Sequence, residues 1–439
     1  MLSPLGLSKI AHDDVPDYVS DGVSILYETE LASGETPDMS RSFEKAGPRE
    51  LIYFDPKKTR AAVVTAGGLC PGINNVVRSL VLHLVHKYGL DSVLGFRYGF
   101  AGLDPASTAP PVTLGPDDVG HIHARGGTIL GTSRGAHDPA VMVDSLVSRG
   151  VSCLFTIGGD GTMRGAHAIA EEARARGLPL AVVGIPKTID NDVPFIDKSF
   201  GFETAVAMAK VAIDAAHTEA LSARNGIGLV KLMGRQAGFI AAHAALASHD
   251  VNVCLVPEVH FAIDGPRGLL AYLEQRLSTR GHAVVVVAEG CGIELADAAS
   301  RAVAGASDAP GEPSRAPRDA SGNLRFDASA LDIGQHIKRR IERHFEQAGV
   351  PITLKYIDPS YMLRGVPANA MDAIFCDQLA RYAAHAAMAG KTDVMVGRWH
   401  CMFTHVPLPL ALSARRRIDP DKELWLSVME TTGQPRLAG

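Results

Sequence analysis

The sequence predicts an α/β fold with a mostly parallel sheet, and three observations carry that expectation. Short β-rich apolar runs alternate with longer segments of helical periodicity, the order of an α/β chain. Most of those runs are continuously apolar rather than alternating, which suits strands buried on both faces of a parallel sheet. The 439 residues, at roughly 150 per domain, leave room for two or three domains.

Residues 1–57 carry few periodic segments and several polar clusters, and read as an extension wrapped on the body. Regular structure is expected from about Arg60. The strand candidates are Ala61–Ala66, Cys153–Ile157, Leu180–Ile185, Gly228–Leu232, Val251–Val256 and Ala283–Ala288. Helical spacing is clearest over Phe202–Ala216, where Phe202, Val206, Ala209, Ile213 and Ala216 share a face. Residues 296–323 are rich in Ala, Ser, Pro, Gly and Asp, a composition that buries no core, and read as a mobile surface insertion. The segment after Pro407 holds Arg415–Arg417 and an apolar stretch around Leu424–Val428, and reads as a terminal arm or an oligomer contact.

Composition excludes several classes. Hydrophobic residues at 46% and charged residues at 21% are those of a folded globular chain, not of a disordered one. A net charge of −5 supplies no basic field for nucleic acid. No apolar run reaches the ~18 to 20 residues that span a bilayer, so no membrane role is expected. The acidic N-terminal segment lacks the basic and apolar regions of a secretory signal. Six scattered cysteines without a C-x-x-C argue against disulfide scaffolds and zinc ribbons, and point to a reduced, cytoplasmic compartment. The histidines of His121/His123 and of the His400, Cys401, His405 group lack a suitably spaced partner ligand and are not read as a metal site.

The chemistry is expected where the strands end. Ala61–Ala66 runs into Gly67-Gly68 and on to Gly72; Cys153–Ile157 runs into Gly158-Gly159-Asp160-Gly161-Thr162. Each is a glycine-rich turn ahead of a helix, offering bare N–H groups and a positive helix end to an anion, and two such turns suit a polyphosphate. Neither is a Walker A loop, and no G-x-G-x-x-G occurs. Taken alone, each is equally an ordinary tight turn. Asp160 suits Mg²⁺, or equally a cap on the helix that follows. Leu180–Ile185 runs into Lys187, Thr188, Asp190 and Asp192, where one carboxylate is placed to take a proton from an attacking hydroxyl while a neighbour handles binding. An Asx-turn loop is the alternative reading. Arg134, Arg164, Arg235, Lys355 and Arg364 are the cations available for phosphate.

Seven segments in order, TAGGLCPGINNVVR (65–78), GGDGT (158–162), PKTIDND (186–192), KSFGFETA (198–205), KLMGRQAGF (231–239), AEG (288–290) and KYIDPSYMLRG (355–365), resemble the 6-phosphofructokinase family. Their spelling is most similar to the branch of plant, trypanosomal and many bacterial ATP-dependent enzymes, which lies close to the pyrophosphate-dependent ones. The resemblance implies two Rossmann-like three-layer α/β domains with the active site in the cleft between them. The phosphoryl-donor domain takes 58–200 plus 363–400, the sugar-phosphate domain 201–362, and 401–439 is a C-terminal arm. It implies transfer of a phosphoryl group from Mg–ATP to the 1-hydroxyl of fructose 6-phosphate, in an allosteric homo-oligomer, dimer or tetramer.

Carried over by residue, the resemblance makes Asp190 the base and Asp160 the Mg²⁺ residue. It assigns Gly67, Gly68, Arg134, Gly135, Gly158, Gly159, Gly161 and Thr162 to the donor. Thr188, Asp192, Met233, Gly234, Arg235, Glu289, Tyr361 and Arg364 go to the sugar phosphate, with Lys355 to its 6-phosphate; Arg235 also offsets charge on the group in transit. Two positions bear on the donor. Lys187 is a spelling shared with pyrophosphate users, whereas Gly161 stands where those enzymes typically place Asp. A carboxylate there repels and displaces an α-phosphate, so glycine favours ATP.

Overall fold

In the computed structural model, residues 3–5, 10–11, 18–106, 109–135, 137–291 and 332–438 are described. The insertion predicted at 296–323 lies outside them. The described chain builds two main sheets. The larger has nine strands, in the order Ser24–Leu26, Ser42–Lys45, Met402–Pro407, Val394–Trp399, Ala181–Pro186, Cys153–Gly158, Ala61–Thr65, Val93–Phe96 and Val112–Leu114. The middle five, from Val394–Trp399 to Val93–Phe96, are parallel, and antiparallel strands close both edges. The smaller sheet is parallel throughout, in the order Val253–Leu255, His282–Ala288, Gly226–Leu232 and Thr353–Ile357.

The six strands read from apolar runs all form, within two residues of the expected ends. The helix read over Phe202–Ala216 continues to Leu221. The central strands are buried on both faces, and successive side chains divide two cores between them. Val63, Phe155, Val183 and Val396 face the layer that holds the helices Ile73–His86 and Ala370–Met388. Val64, Leu154, Val182 and Met395 face the opposite layer, with Met163, Ala166 and Ile169 of the helix Asp160–Ala175. Continuous apolar runs are therefore the signature of these strands: both faces are buried, so nearly every position is apolar or small, with Thr65 and Thr156 the buried polar exceptions in two of them.

The antiparallel edges were not legible in the same way, being short and half-polar. The N-terminal extension supplies two of them, Ser24–Leu26 and Ser42–Lys45. The segment read as an arm from 401 opens as the strand Met402–Pro407, paired along its whole length with Val394–Trp399. Only beyond it does the chain leave the large sheet and cross to the smaller one. Arg416 N–H donates to the Asp192 carbonyl at 2.9 Å on one side, and Ile418 N–H donates to Glu258 Oε1 at 3.0 Å on the other. The helix Glu423–Thr432 then seats Trp425 and Val428 in the core.

The turn after Ala61–Thr65 depends on backbone shapes that side chains resist. Gly72 caps the helix Ile73–His86 at φ 100°, and a Cβ there meets Cys376 Sγ at 2.6 Å and Phe200 at 3.1 Å. Gly72→Ala adds the left-handed backbone penalty, about 1–2 kcal/mol, to an overpacking cost of about 1–3 kcal/mol. Denaturant unfolding is expected to show a loss of about 2–5 kcal/mol, the sum of those terms. Stability within about 0.5 kcal/mol of wild type, the range of a neutral surface change, contradicts this account of the turn.

Candidate active site

Parallel strands deliver their C-terminal ends to one edge of a sheet, and here the ends of both sheets face a common cleft of 540 Å³. From the large sheet come Gly68, Gly159, Asp160, Lys187, Thr188, Asp190 and Asp192, with Arg134 from the loop after Gly131. From the smaller sheet come Met233, Arg235 and Glu289, joined by Tyr361 and Arg364 of the short helix Ser360–Gly365. Gly67, Gly135, Gly158, Gly161, Thr162 and Gly234 belong to the same turns but do not line the cleft. The structure thus brings together most residues singled out in the sequence. Lys355 does not line the cleft. It lies level with Gly228 in the parallel register, three residues before Lys231 and so about 10 Å short of the strand end that reaches the cleft. Its ammonium faces Glu219 instead, at 3.9 Å.

The donor-side loops brace one another. Thr132 Oγ1 donates to the Gly67 carbonyl at 2.6 Å, and Gly67 N–H donates to the Ser133 carbonyl at 3.1 Å. Lys187 Nζ donates to the Gly68 carbonyl at 2.6 Å. The Lys187 side chain is buried, and desolvation lowers its pKa. It is therefore a pin between the two strand-end loops, with ammonium protons left for a ligand. Asp160 opens the helix Asp160–Ala175, with Gly161 next in its first turn.

The loop after Ala181–Pro186 holds its two carboxylates in different surroundings. Thr188 Oγ1 donates to Asp192 Oδ1 at 2.7 Å, and Ser199 Oγ donates to the Thr188 carbonyl, which fixes the loop from behind. Asn191 bends the chain between the two at φ 57°, with Oδ1 accepting from Ser199 N–H at 2.9 Å. Asp190 has one long contact, from Arg235 N–H to Oδ2 at 3.4 Å, while its buried Oδ1 has no hydrogen-bond partner. Burial first, then the charges of Asp192 and Glu289, push the Asp190 carboxyl well above the usual carboxylate range. Burial also raises Asp160 and Glu289, against the cations Arg415 and Arg235 respectively. A buried carboxyl with a free oxygen and a raised pKa is suited to taking a proton.

Several cleft residues were not assigned from sequence. Lys231 pairs with Asp358 at 2.8 Å and Asp332 at 3.2 Å, and these ion pairs hold its pKa up against burial. Lys231 and Asp358 stand in two of the quoted motifs, so the signal was present without a role attached. Arg415 was noted only as part of a basic triplet on an arm. It reaches the floor of the cleft, where one guanidinium nitrogen lies 2.7 Å from Asp160 and another 3.3 Å from Asp192. No local pattern announces such a contact, because it depends on where the arm crosses.

Comparison with known proteins agrees with this arrangement. The phosphofructokinase family profile matches residues 60–387. The chain is 49% identical to an ATP-dependent 6-phosphofructokinase of Amycolatopsis methanolica, over 96% of this chain and 89% of that one. It is 48% identical to the enzyme of the same name from Borreliella burgdorferi, over 89% of this chain and 85% of that one. It is 45% identical to ATP-dependent 6-phosphofructokinase 7 of Arabidopsis thaliana, over 90% of this chain and 78% of that one. Among solved structures, a pyrophosphate-dependent phosphofructokinase from Marinobacter aquaeolei shares the fold at a TM-score of 0.64, with 20% identity, over 87% of this chain and 92% of that one. From the strand-end cleft, the seven motifs and relatives matching nearly end to end, the chain belongs to the phosphofructokinase family.

Proposed function

We propose that the chain is an ATP-dependent 6-phosphofructokinase. It transfers the terminal phosphoryl group of ATP to the 1-hydroxyl of fructose 6-phosphate, giving fructose 1,6-bisphosphate and ADP, a step of glycolysis. The observation that carries this reading is the partnerless Oδ1 of Asp190, buried where the donor-side loops meet the opposite wall. The curated relatives bearing that name support it. All six cysteines are free thiols, five of them buried, which suits the reducing cytoplasmic compartment.

In this reading Asp190 Oδ1 accepts the proton of the 1-hydroxyl as its oxygen bonds to the terminal phosphorus. The bond from that phosphorus to the bridging oxygen breaks, and its electron pair leaves with ADP. Arg235, whose backbone N–H lies 3.4 Å from Asp190 Oδ2 and whose side chain lines the cleft, lies beside the group in transit and offsets its charge. Thr188 orients Asp192; Met233, Glu289, Tyr361 and Arg364 bind the sugar phosphate, and Gly234 shapes the turn between Met233 and Arg235. Gly68, Arg134 and Gly159 face the donor, and Gly67, Gly135, Gly158, Gly161 and Thr162 shape the turns that carry them.

Formal charges in the cleft cancel: six carboxylates face six cations, so two phosphorylated substrates bring more negative charge than the walls offset. Asp160 and Asp192 already turn their oxygens to a single cation, the Arg415 guanidinium, which makes the pair chemically fit for a hard divalent ion. Asp160 would hold Mg²⁺, with Asp192 nearby, and the ion would neutralise charge on the donor's phosphates.

Asp190→Asn keeps the size of the side chain and removes the proton acceptor. It is expected to lower kcat by about 10² to 10⁴, with KM for fructose 6-phosphate little changed. Activity within a factor of a few of wild type would show that another group takes the proton.

Donor choice rests on Gly161 and Lys187. Because Lys187 is already engaged with Gly68, its presence is accounted for by loop geometry and does not demand pyrophosphate. A coupled assay with ATP and pyrophosphate side by side is expected to show faster turnover with ATP. Gly161→Asp is expected to cut ATP turnover by about tenfold or more, the scale of one buried like-charge contact. Faster use of pyrophosphate by the wild type, or unchanged ATP kinetics in the variant, would overturn the assignment of the donor.

A further inference from the structure

The strap from Ser413 to Ile418 is held at both sides of the cleft independently of Arg415. Arg416 donates from its backbone to Asp192, from its guanidinium to the Asp197 carbonyl at 2.7 Å, and lies 5.0 Å from the centre of the Phe239 ring. Ile418 is fastened to Glu258, which also accepts from Gly238 N–H at 3.1 Å. Between these anchors Arg415 is presented to the cleft, with its two-pronged head across Asp160 and Asp192. Both partners are largely buried, so each carboxylate gains from having a cation there. A guanidinium is equally a fork for phosphate oxygens.

We propose that Arg415, carried by the C-terminal strap, is a positioning residue: a built-in counter-ion of the Asp160–Asp192 pair that competes with a divalent cation for it and turns to the donor's phosphates once that cation is bound. The inference rests on the proposed reading of the cleft as a phosphoryl-transfer site. It deepens that reading by making the arm part of the donor site. It also assigns the arm a consequence in two opposite directions. Without the guanidinium, the carboxylate pair is freer for a bare cation, and the cation–nucleotide complex loses one phosphate contact.

The test uses the full-length protein and its Arg415→Gln variant, with Mn²⁺ alone and with Mn²⁺–ADP as probes. Free Mn²⁺ is read by its electron paramagnetic resonance signal and nucleotide binding by calorimetry. Arg415→Gln is expected to tighten Mn²⁺ alone by about tenfold, the effect of one neighbouring opposite charge on a carboxylate. It is expected to weaken Mn²⁺–ADP by about tenfold, the loss of one charge-assisted hydrogen-bonded contact. Arg415→Lys keeps the charge without the fork, so its Mn²⁺ affinity is expected between the two; it also serves if the glutamine variant does not fold. Unchanged or weakened Mn²⁺ binding in Arg415→Gln overturns the proposal, as does equal tightening of both probes. If the wild type binds no Mn²⁺–ADP at all, the donor-site reading itself fails, and the inference with it. If the wild type binds Mn²⁺–ADP and the variants do not differ from it, only the inference fails.

Discussion

The cleft gathers Asp160, Asp190, Asp192 and Glu289 where little water reaches them, and three of the four have their pKa raised by burial. Desolvated carboxylates repel one another and resist ionising unless cations are brought to them. Much of the surrounding structure answers that constraint. Arg235 lies on the Asp190 side, Arg415 spans Asp160 and Asp192, and Lys187 ties the donor loop next to them. Asp190 is the member left least compensated, with one oxygen unpartnered. A group kept short of partners in this way costs stability and is available for chemistry, which is the usual relation between function and stability at such sites.

How much of this was legible in the sequence follows from the kind of interaction involved. Strands buried on both faces announce themselves as unbroken apolar runs, and Cys153–Gly158 and His282–Ala288 were found on that ground. The turns at the strand ends carry glycine, Asp and Lys that are each as readily structural as functional, and it is their convergence at the C-terminal ends of parallel strands that points to a site. Edge strands such as Ser42–Lys45 and Met402–Pro407 mix polar and apolar residues and carry no comparable pattern. Lys355 was drawn into the site by its motif, although motif membership does not say how far along a strand a residue lies. Lys231, three residues further along in the same parallel register, is the one at the cleft.

Arg415 marks the other boundary of what sequence shows. Its contact with Asp160 joins segments far apart in the chain and depends on the path of an irregular strap between two sheets. That path is set by hydrogen bonds to Asp192 and Glu258. Periodicity says nothing about a segment without a periodic structure. The basic triplet Arg415–Arg417 is visible, yet only in the folded chain does Arg415 turn to the carboxylates and Arg416 to Phe239 and the Asp197 carbonyl.

The central claim is that the fold stores an under-compensated carboxyl at Asp190, and unfolding of the wild type and Asp190→Asn as a function of pH tests it most directly. A carboxyl whose pKa is raised by folding binds its proton more tightly in the folded state. The stability of the ligand-free wild type therefore falls as pH rises from the unfolded value of about 4 through the raised folded value. The asparagine variant lacks this titration. The account predicts that Asp190→Asn is the more stable protein at neutral pH, and that its advantage shrinks as pH falls and vanishes below about 4, where both states of the wild type are protonated. A variant that is equally or less stable than wild type across that range would contradict it.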